Sequence, residues 1–230
     1  MKKLSVLAVS ALMLGSVAAF EFDLNTVQPG VQLSSAEGGD GGERAQLFPD
    51  GKPAKKGPFR LNSPKWPLNG VVEVSADHEL IFKPVPGSET GMIVVYTPVP
   101  KLQKVRISFS VKGEAFFEKG KGKKYNRMTL TAAGATIFLR GNTLDLRYMD
   151  GGLERPKYVA LTKMKDGEWQ EVTMDVVCSE KSTYSVNDKK DIVQRGKATV
   201  VKSLVFSAYF DQIKPETCIK IKDLKITEIQ

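Results

Sequence analysis

Histidine and cysteine are scarce in this chain of 230 residues, which contains one histidine and two cysteines. A zinc finger needs a full set of Cys or His ligands at set spacings, and a two-histidine metal centre needs a second imidazole. Neither site can be built from this composition, and hydrolytic chemistry that uses histidine has a single candidate base. The chain is nevertheless long enough to bury a substantial core without depending on disulfides.

The amino-terminal segment has the pattern of a secretory signal peptide. Lys2 and Lys3 precede an apolar run from Leu4 to Leu14, and small residues follow that run up to Ala19. The run is too short to span a bilayer comfortably, and no second apolar run approaches the necessary length. We therefore expect residues 1–19 to be a signal peptide and the mature protein to be secreted or periplasmic, with no membrane span.

The charge of the chain is positive but scattered. The formal net charge of +8 falls to about +6 when the two lysines of the leader are removed, which is moderate for this size. A nucleic-acid module would concentrate Lys and Arg beside base-stacking aromatics, and export also argues against that partner. A polysaccharide or cell-envelope glycan with anionic groups is the partner that this charge favours.

Two blocks of different composition follow the leader. Residues 20–65 are rich in Gly, Pro, Ser and charged residues, which predicts a loop-rich segment, although the alternation in Phe20–Leu24 could supply an edge strand. Residues 66–230 contain about a dozen short runs rich in β-branched and aromatic residues, separated by turn residues. With no helical period between the runs, this block predicts a single all-β sandwich or barrel domain.

The predicted strands share a length of four to twelve residues and a high content of Val, Ile, Thr, Phe and Tyr. They are Val71–Val74, Leu80–Lys83, Met92–Thr97, Val105–Lys112, Arg127–Ala132, Ala135–Arg140, Thr143–Tyr148, Tyr158–Lys163, Trp169–Cys178, Thr183–Val186, Ser203–Phe210 and Cys218–Ile229.

Alternation predicts which side chains of these strands face the core. Apolar residues occupy every second position in Lys104–Val111 and in Val172–Cys178. In the last predicted strand the phase of the apolar residues changes between Ile221 and Leu224. A β-bulge near Asp223 is the simplest explanation for that change.

Two parts of the chain resemble known folds. Gly167–Val176 has a Gly-x-Trp opening and is followed by a return strand at Thr183–Asn187, while Leu204–Phe210 and Ile219–Ile226 form a closing pair. These segments resemble the concanavalin A-like and laminin G-like jelly rolls over about the last two-thirds of the chain. The resemblance implies a jelly-roll β-sandwich of two antiparallel sheets. Members of that superfamily bind glycans, serve as accessory modules on secreted enzymes, or are glycanases.

The carboxylates do not follow the Glu-x-Asp-x-x-Glu pattern of the glycanases in that superfamily. The nearest pair, Glu114 and Glu118, would lie about 13 Å apart along a straight strand, whereas glycosidases need about 5 to 9.5 Å. Asp145 shares a strand face with Arg147, which should lower its pKa and make it a poor general acid. His78 lies in a predicted turn between acidic residues, where a solvated surface position is expected.

Exposed aromatic rings beside fixed polar groups predict sugar binding, because sugars stack their C–H faces on rings and form hydrogen bonds through their hydroxyls. Trp66 stands between two prolines and could be held out on a loop, or it could close one end of the core. The other candidates, each of which could also be an ordinary surface or core residue, are Tyr125, Arg140, Asp145, Arg147 and Tyr158.

The most concentrated positive charge lies in one predicted hairpin tip, with glycines between the basic residues. The basic residues are Lys119, Lys121, Lys123, Lys124 and Arg127. Such a loop could grip a sulfated or uronic polysaccharide through contacts that weaken with salt, or it could simply keep a strand connection soluble.

Cys178 and Cys218 are the two cysteines, and an even count in an exported chain makes a disulfide plausible. Cys178 shares its phase with inward residues and Cys218 with outward ones, so a bridge requires both cysteines to lie at strand ends. The sequence does not decide between a disulfide and two free thiols. No cofactor is indicated. A structural calcium could use Asp150–Gly152 or Asp211, but the acidic residues lack calcium-loop spacing.

Taken as a sequence, the chain predicts a secreted, non-catalytic carbohydrate-binding module. Two alternatives remain open. One is a glycan-active hydrolase or lyase with a non-standard acid pair, which would need two carboxyl groups within about 10 Å. The other is a structural or adhesive envelope protein, which would need a large apolar surface.

Overall fold

The computed structural model describes residues 20–30, 32–34, 46–47, 59–61, 70–117, 125–140, 143–148, 157–179, 182–187, 189–194, 200–211 and 213–229. The predicted leader at 1–19 lies outside these residues. Within the described part, no helix is both long and apolar enough to cross a membrane.

Seventeen strands make up most of the described chain, with one short 3-10 turn at Leu24–Thr26. In chain order they are β1 Glu21–Asp23, β2 Gln32–Ser34, β3 Gln46–Leu47, β4 Arg60–Leu61, β5 Gly70–Val74, β6 Leu80–Pro84, β7 Gly91–Leu102, β8 Lys104–Glu114, β9 Arg127–Ala132, β10 Ala135–Arg140, β11 Thr143–Tyr148, β12 Lys157–Lys163, β13 Gln170–Val177, β14 Ser182–Val186, β15 Lys189–Gln194, β16 Val201–Phe210 and β17 Cys218–Glu228. Every predicted run coincides with one of these strands. Strands β2, β3, β4 and β15 were not predicted, because their sequences are short or mostly polar.

The strands form two antiparallel sheets. The ten-stranded sheet has the order β15-β14-β13-β8-β17-β6-β5-β2-β3, with β1 also paired to β17, and the seven-stranded sheet has the order β12-β11-β10-β9-β16-β7-β4. The predicted jelly-roll β-sandwich of two antiparallel sheets is therefore confirmed. Strands β1, β2 and β4 come from residues 20–65 and pair with later strands, so the loop-rich segment contributes to both sheets.

The inner faces of the two sheets bury one continuous apolar core. Val105, Ile107 and Val111 of β8 are almost fully buried, as the alternation predicts, and β13 buries its predicted inward residues in the same way. The predicted bulge in β17 is also confirmed. The pairing with β8 shifts between Lys222 and Lys225, and Asp223 adopts a left-handed backbone with φ +54°.

Aromatic rings connect the two sheets through the core. Phe206 of β16 lies 5.9 Å from Phe82 of β6 and 6.5 Å from Phe59, measured between ring centroids. Phe59 in turn contacts Phe22 of β1 edge to face at 5.9 Å. Offset and edge contacts of this kind stabilise aromatic pairs beyond the area that they bury.

Tyr184 makes a polar link between the sheets. Its side chain is fully buried on β14, and its hydroxyl donates a 2.8 Å hydrogen bond to the carbonyl of Ala133. Ala133 lies in the turn between β9 and β10, with φ +47°, so the bond joins the ten-stranded sheet to a turn of the seven-stranded one.

The two cysteines are free thiols. The disulfide between Cys178 and Cys218 that the sequence left open is not formed, and their positions explain why. The amide of Cys178 bonds to the carbonyl of Gln103 at the start of β8, whereas Cys218 pairs with Glu114 at the end of β8. Eleven strand residues separate these points, or roughly 36 Å, while a disulfide needs Cα atoms within about 7 Å. A bridge between them is excluded by this geometry.

Replacing Tyr184 by Phe should lower the free energy of unfolding by about 1 kcal/mol, because the partly buried carbonyl of Ala133 loses its donor. Urea denaturation followed by tryptophan fluorescence measures the change. Tyr209→Phe, the same substitution at a half-exposed position, is the control and should be close to neutral. Equal effects of the two substitutions would contradict the assigned role of the Tyr184 hydroxyl.

Both thiols should resist modification in the folded protein. Burial raises the pKa of Cys178, and burial together with the nearby Glu114 carboxylate raises the pKa of Cys218 to about 12. Since the thiolate is the reactive form, reaction with a disulfide reagent should be slow at neutral pH and accelerate as the pH rises. In denaturant without reductant, two thiols per chain should react at once. If no thiol reacts in denaturant, the two cysteines form a disulfide and the prediction is wrong.

Candidate functional site

The outer face of the seven-stranded sheet is organised in rows that cross six adjacent strands. Residues that alternate with the buried Met128, Leu130, Ile137 and Leu139 face outward, and the strand pairing aligns them with neighbours on β7, β16, β11 and β12. The arginine row consists of Met92, Tyr209, Arg127, Arg140, Thr143 and Lys163.

Two further rows run beside the arginine row. The second row consists of the register positions Val94, Ser207, Thr129, Phe138, Asp145 and Ala160. The third row consists of Tyr96, Val205, Thr131, Thr136, Arg147 and Tyr158. Hydroxyl groups are frequent in both rows, and the two threonines of β9 and β10 in the third row share a 2.9 Å hydrogen bond.

Both arginines of the arginine row lie against aromatic rings. The guanidinium carbon of Arg127 is 4.4 Å from the ring centroid of Tyr209, and that of Arg140 is 5.6 Å from the ring centroid of Phe138. Arg127 and Arg140 are exposed and directly opposite each other in the β9–β10 ladder. Stacking on a ring fixes the plane of each guanidinium although the two cations repel.

Five of the eleven predicted ligand residues occupy positions in these rows. Arg127 and Arg140 are in one row, and Asp145, Arg147 and Tyr158 occupy positions in the next two, with Arg147 directly opposite Tyr158. Asp145, Arg147 and Tyr158 are placed here by backbone register alone.

Of the remaining predicted residues, one is described by the structure and the others lie outside the described part. Tyr125 is half-buried, two residues before β9. Residues outside the described part include Trp66, Lys119, Lys121, Lys123 and Lys124.

Sequence reasoning missed the aromatic members of the face. Tyr209, Phe138 and Tyr96 are half-buried and face outward. A signal for Tyr209 was present, because it alternates with apolar residues in Val201–Phe210, a strand interpreted only as evidence for the fold. Its proximity to Arg127 depends on the pairing of β16 with β9, which separates residues distant in sequence.

On the outer face of the ten-stranded sheet, several charged side chains form ion pairs. Arg106 makes a two-pronged contact with Asp175 at 2.7 and 2.8 Å. Glu114 accepts from Lys112 at 2.9 Å and from Lys220 at 3.1 Å. The hydrogen bond from Lys112, opposed by partial burial and reinforced by Lys220, lowers the pKa of Glu114. A carboxyl group with a lowered pKa is a poor general acid.

Trp169 lies at the end of this ion-paired surface. The ammonium groups of Lys112 and Lys222 are 4.9 and 4.6 Å from its ring centroid. The predicted partner of Glu114 in catalysis, Glu118, lies outside the described residues.

His78 has a structural contact rather than a purely solvated position. Its Nδ1 atom lies 3.1 Å from the carbonyl oxygen of Val27, and its backbone has φ +56°. The side chain is half-buried and holds the amino-terminal segment against the turn between β5 and β6. Among the described residues no group of three or more His, Cys, Asp and Glu side chains could hold a metal ion.

No protein-family model and no curated protein sequence matches the chain. Its fold is similar to that of a sialidase, with 12% identity and a TM-score of 0.48 over 75% of this chain, which spans 17% of the sialidase chain. An alginate lyase of polysaccharide lyase family 7 is 9% identical, with a TM-score of 0.46 and coverage of 69% of this chain and 84% of the lyase. The receptor-binding domain of a botulinum neurotoxin C/D mosaic serotype is 14% identical, with a TM-score of 0.46 and coverage of 88% and 48%. At these identities the likeness concerns the fold alone.

Replacing Glu114 by Gln tests its ion pairs. Because the pKa of Glu114 is lowered in the folded state, its contribution to stability should be present above the ordinary carboxyl pKa and disappear as the pH falls through its lower folded value. We expect a loss of less than about 1 kcal/mol at pH 7, since the group is partly exposed, and no loss in acid. Urea denaturation at pH 7 and in acid measures the free energy of unfolding of the variant and of the unmodified protein. Glu171→Gln, on the same face, is the control, and an effect of Glu114→Gln that persists in acid would contradict the prediction.

Proposed function

We propose that this protein is a secreted, non-catalytic carbohydrate-binding module that holds an anionic polysaccharide against the outer face of the seven-stranded sheet. The observation that carries the proposal is the arginine row, in which Arg127 and Arg140 are directly opposite each other and stack on Tyr209 and Phe138. Planar cations and half-exposed rings lie together there on a rigid sheet.

The chemistry of this face matches the two needs of an acidic sugar chain. Guanidinium groups donate paired, charge-assisted hydrogen bonds to carboxylate or sulfate groups. The rings of Tyr209 and Phe138 offer flat apolar surface to the C–H side of a sugar. Between them, Thr129 and Ser207 place hydroxyl groups in the neighbouring row for hydrogen bonds to the sugar hydroxyls.

Charge distribution supports the choice of face. Salt bridges of Arg106, Lys220, Lys83 and Lys225 join neighbouring strands of the ten-stranded sheet. No described acidic side chain forms a salt bridge with Arg127. An anionic ligand can therefore reach Arg127 without breaking a described ion pair, which avoids leaving a carboxylate unpaired.

The basic residues predicted at Lys119 to Lys124 come shortly before Arg127 in sequence. In this proposal they add positive charge that attracts the anionic ligand. Their contribution should weaken as salt rises, because contacts between exposed charges are screened.

The experiment compares binding of the purified protein, without residues 1–19, to polygalacturonate, alginate and a sulfated glycan with binding to neutral glucans. Arg127→Ala combined with Arg140→Ala should weaken binding to the anionic polymers by about 10- to 100-fold, the loss expected for charge-assisted hydrogen bonds. Binding by the unmodified protein should fall between about 20 and about 500 mM salt.

Arg106→Ala combined with Lys104→Ala is the matched control, since it removes two positive charges from the opposite sheet. Binding unchanged by the double substitution, or weakened equally by the control, would overturn the proposed site. Cleavage of a polymer by the unmodified protein would favour the alternative of a glycan-active enzyme, and no binding to any glycan would favour a structural envelope protein.

A further inference from the structure

A cavity of about 770 Å³ opens on the outer face of the ten-stranded sheet, away from the arginine row. Its floor is formed by outward residues of β5, β6 and β17, among them Glu73, Ile81 and Lys220, which follow one another in register. Its walls are the turns at 84–88 and 213–217. The volume falls within the range of about 300 to 1,000 Å³ that is usual for small-molecule sites.

The walls are held in place without a ligand. In the first turn, the amide and hydroxyl of Ser88 both donate to the carbonyl of Val85, at 3.1 and 2.6 Å. In the second, the amide of Lys214 donates to the Thr217 hydroxyl at 2.8 Å, and the Thr217 amide donates to the Lys214 carbonyl at 3.0 Å. Three prolines stiffen the same turns. A preformed cavity loses little entropy when it is filled.

The backbone next to Glu114, at one side of the cavity, is strained and clamped. Ala115 adopts φ +45°, a left-handed conformation that is unfavourable for alanine. The carboxylate of Asp166 accepts hydrogen bonds from the amides of Ala115 and Phe116, at 2.6 and 3.0 Å. This arrangement fixes the direction in which β8 ends, and strain of this kind is concentrated at binding sites.

The charged side chains that the strands contribute to the cavity are paired with each other. Glu73 contacts Lys83 at 2.8 Å. Lys220 contacts both Glu114, at 3.1 Å, and Glu79, at 3.7 Å. A ligand of single charge would have to displace one member of such a pair and leave its partner partly buried and unpaired, which is costly. A ligand that donates to the carboxylates and accepts from the ammonium groups would leave the pairs intact.

Apolar side chains complete the lining. Ile81 on the floor and Ile213 in the wall are half-buried, and the prolines of both turns lie beside them. A ligand for this cavity therefore needs hydroxyl groups on some edges and C–H surface on others. An uncharged sugar has this combination, whereas an anionic one meets a lining with no net positive charge.

We propose that the cavity is a second binding site, specific for an uncharged sugar, on the sheet opposite the anionic-polysaccharide face. The proposal does not depend on the function proposed for the arginine row. A module with both sites would bind one acidic and one neutral glycan at the same time, on opposite surfaces.

The test is a titration of the isotope-labelled protein with maltotriose, cellotriose, xylotriose and mannotriose, followed by amide chemical shifts. At least one trisaccharide should shift amides at 84–88, 213–217 and Lys220, with an affinity that is unchanged at high salt. Ile81→Trp, which fills the cavity from an outward strand position, should weaken binding at least about tenfold, as expected for a blocked pocket.

Arg127→Ala with Arg140→Ala is the control and should leave trisaccharide binding unchanged, so the two proposals fail independently. Ile213→Trp fills the cavity from the wall and replaces Ile81→Trp if the latter loses its folded spectrum. The proposal is overturned by the absence of shifts up to about 10 mM sugar, a concentration beyond weak specific binding. It is also overturned by binding that survives both tryptophan substitutions or disappears in the arginine variant.

Discussion

The rest of the structure depends on the burial of two apolar sheet faces against each other. Phe206 stands at the centre of this contact, with Phe82 from the opposite sheet and Phe59 from the amino-terminal segment against its ring. Burying one such side chain contributes about 1.5 to 3 kcal/mol. Side chains alternate along a strand, so burial of every second residue in this core leaves the other residues on the outer face. The strand register then determines which of those outer residues form a row.

The sequence was sufficient to predict features that depend on local alternation. Strand positions from residue 66 onward, with the exception of β15, follow from a period of two, and so do the inward residues of β8 and the bulge at Asp223. The disulfide alternative failed for a different reason. Alternation predicts only which face of its own strand a residue occupies. The distance between Cys178 and Cys218 depends on the strand pairing, which places them beside opposite ends of β8.

The candidate site illustrates the same limit. Arg127 and Arg140 were each singled out by residue type, Arg127 as part of a basic loop and Arg140 as part of a strand. Their direct opposition, and the ring of Tyr209 beside Arg127, follow from the strand order β10-β9-β16. Nothing local in the sequence encodes that order, so the predicted residues were individually well chosen but could not be assembled into a surface. The cavity could not be foreseen at all, since its lining comes from four separate segments of the chain.

The pairing of β1 with β17 has a consequence for how such a chain is made. The amide of Phe20 lies 3.4 Å from a carboxylate oxygen of Glu228, 208 residues away in sequence. Synthesis starts at the amino end, so β1 emerges long before β17 and has nothing to pair with. The ladder that joins them can close only after the intervening strands have been made, so this part of the ten-stranded sheet is completed late. Until then, the edge of β1 needs protection from pairing with other chains.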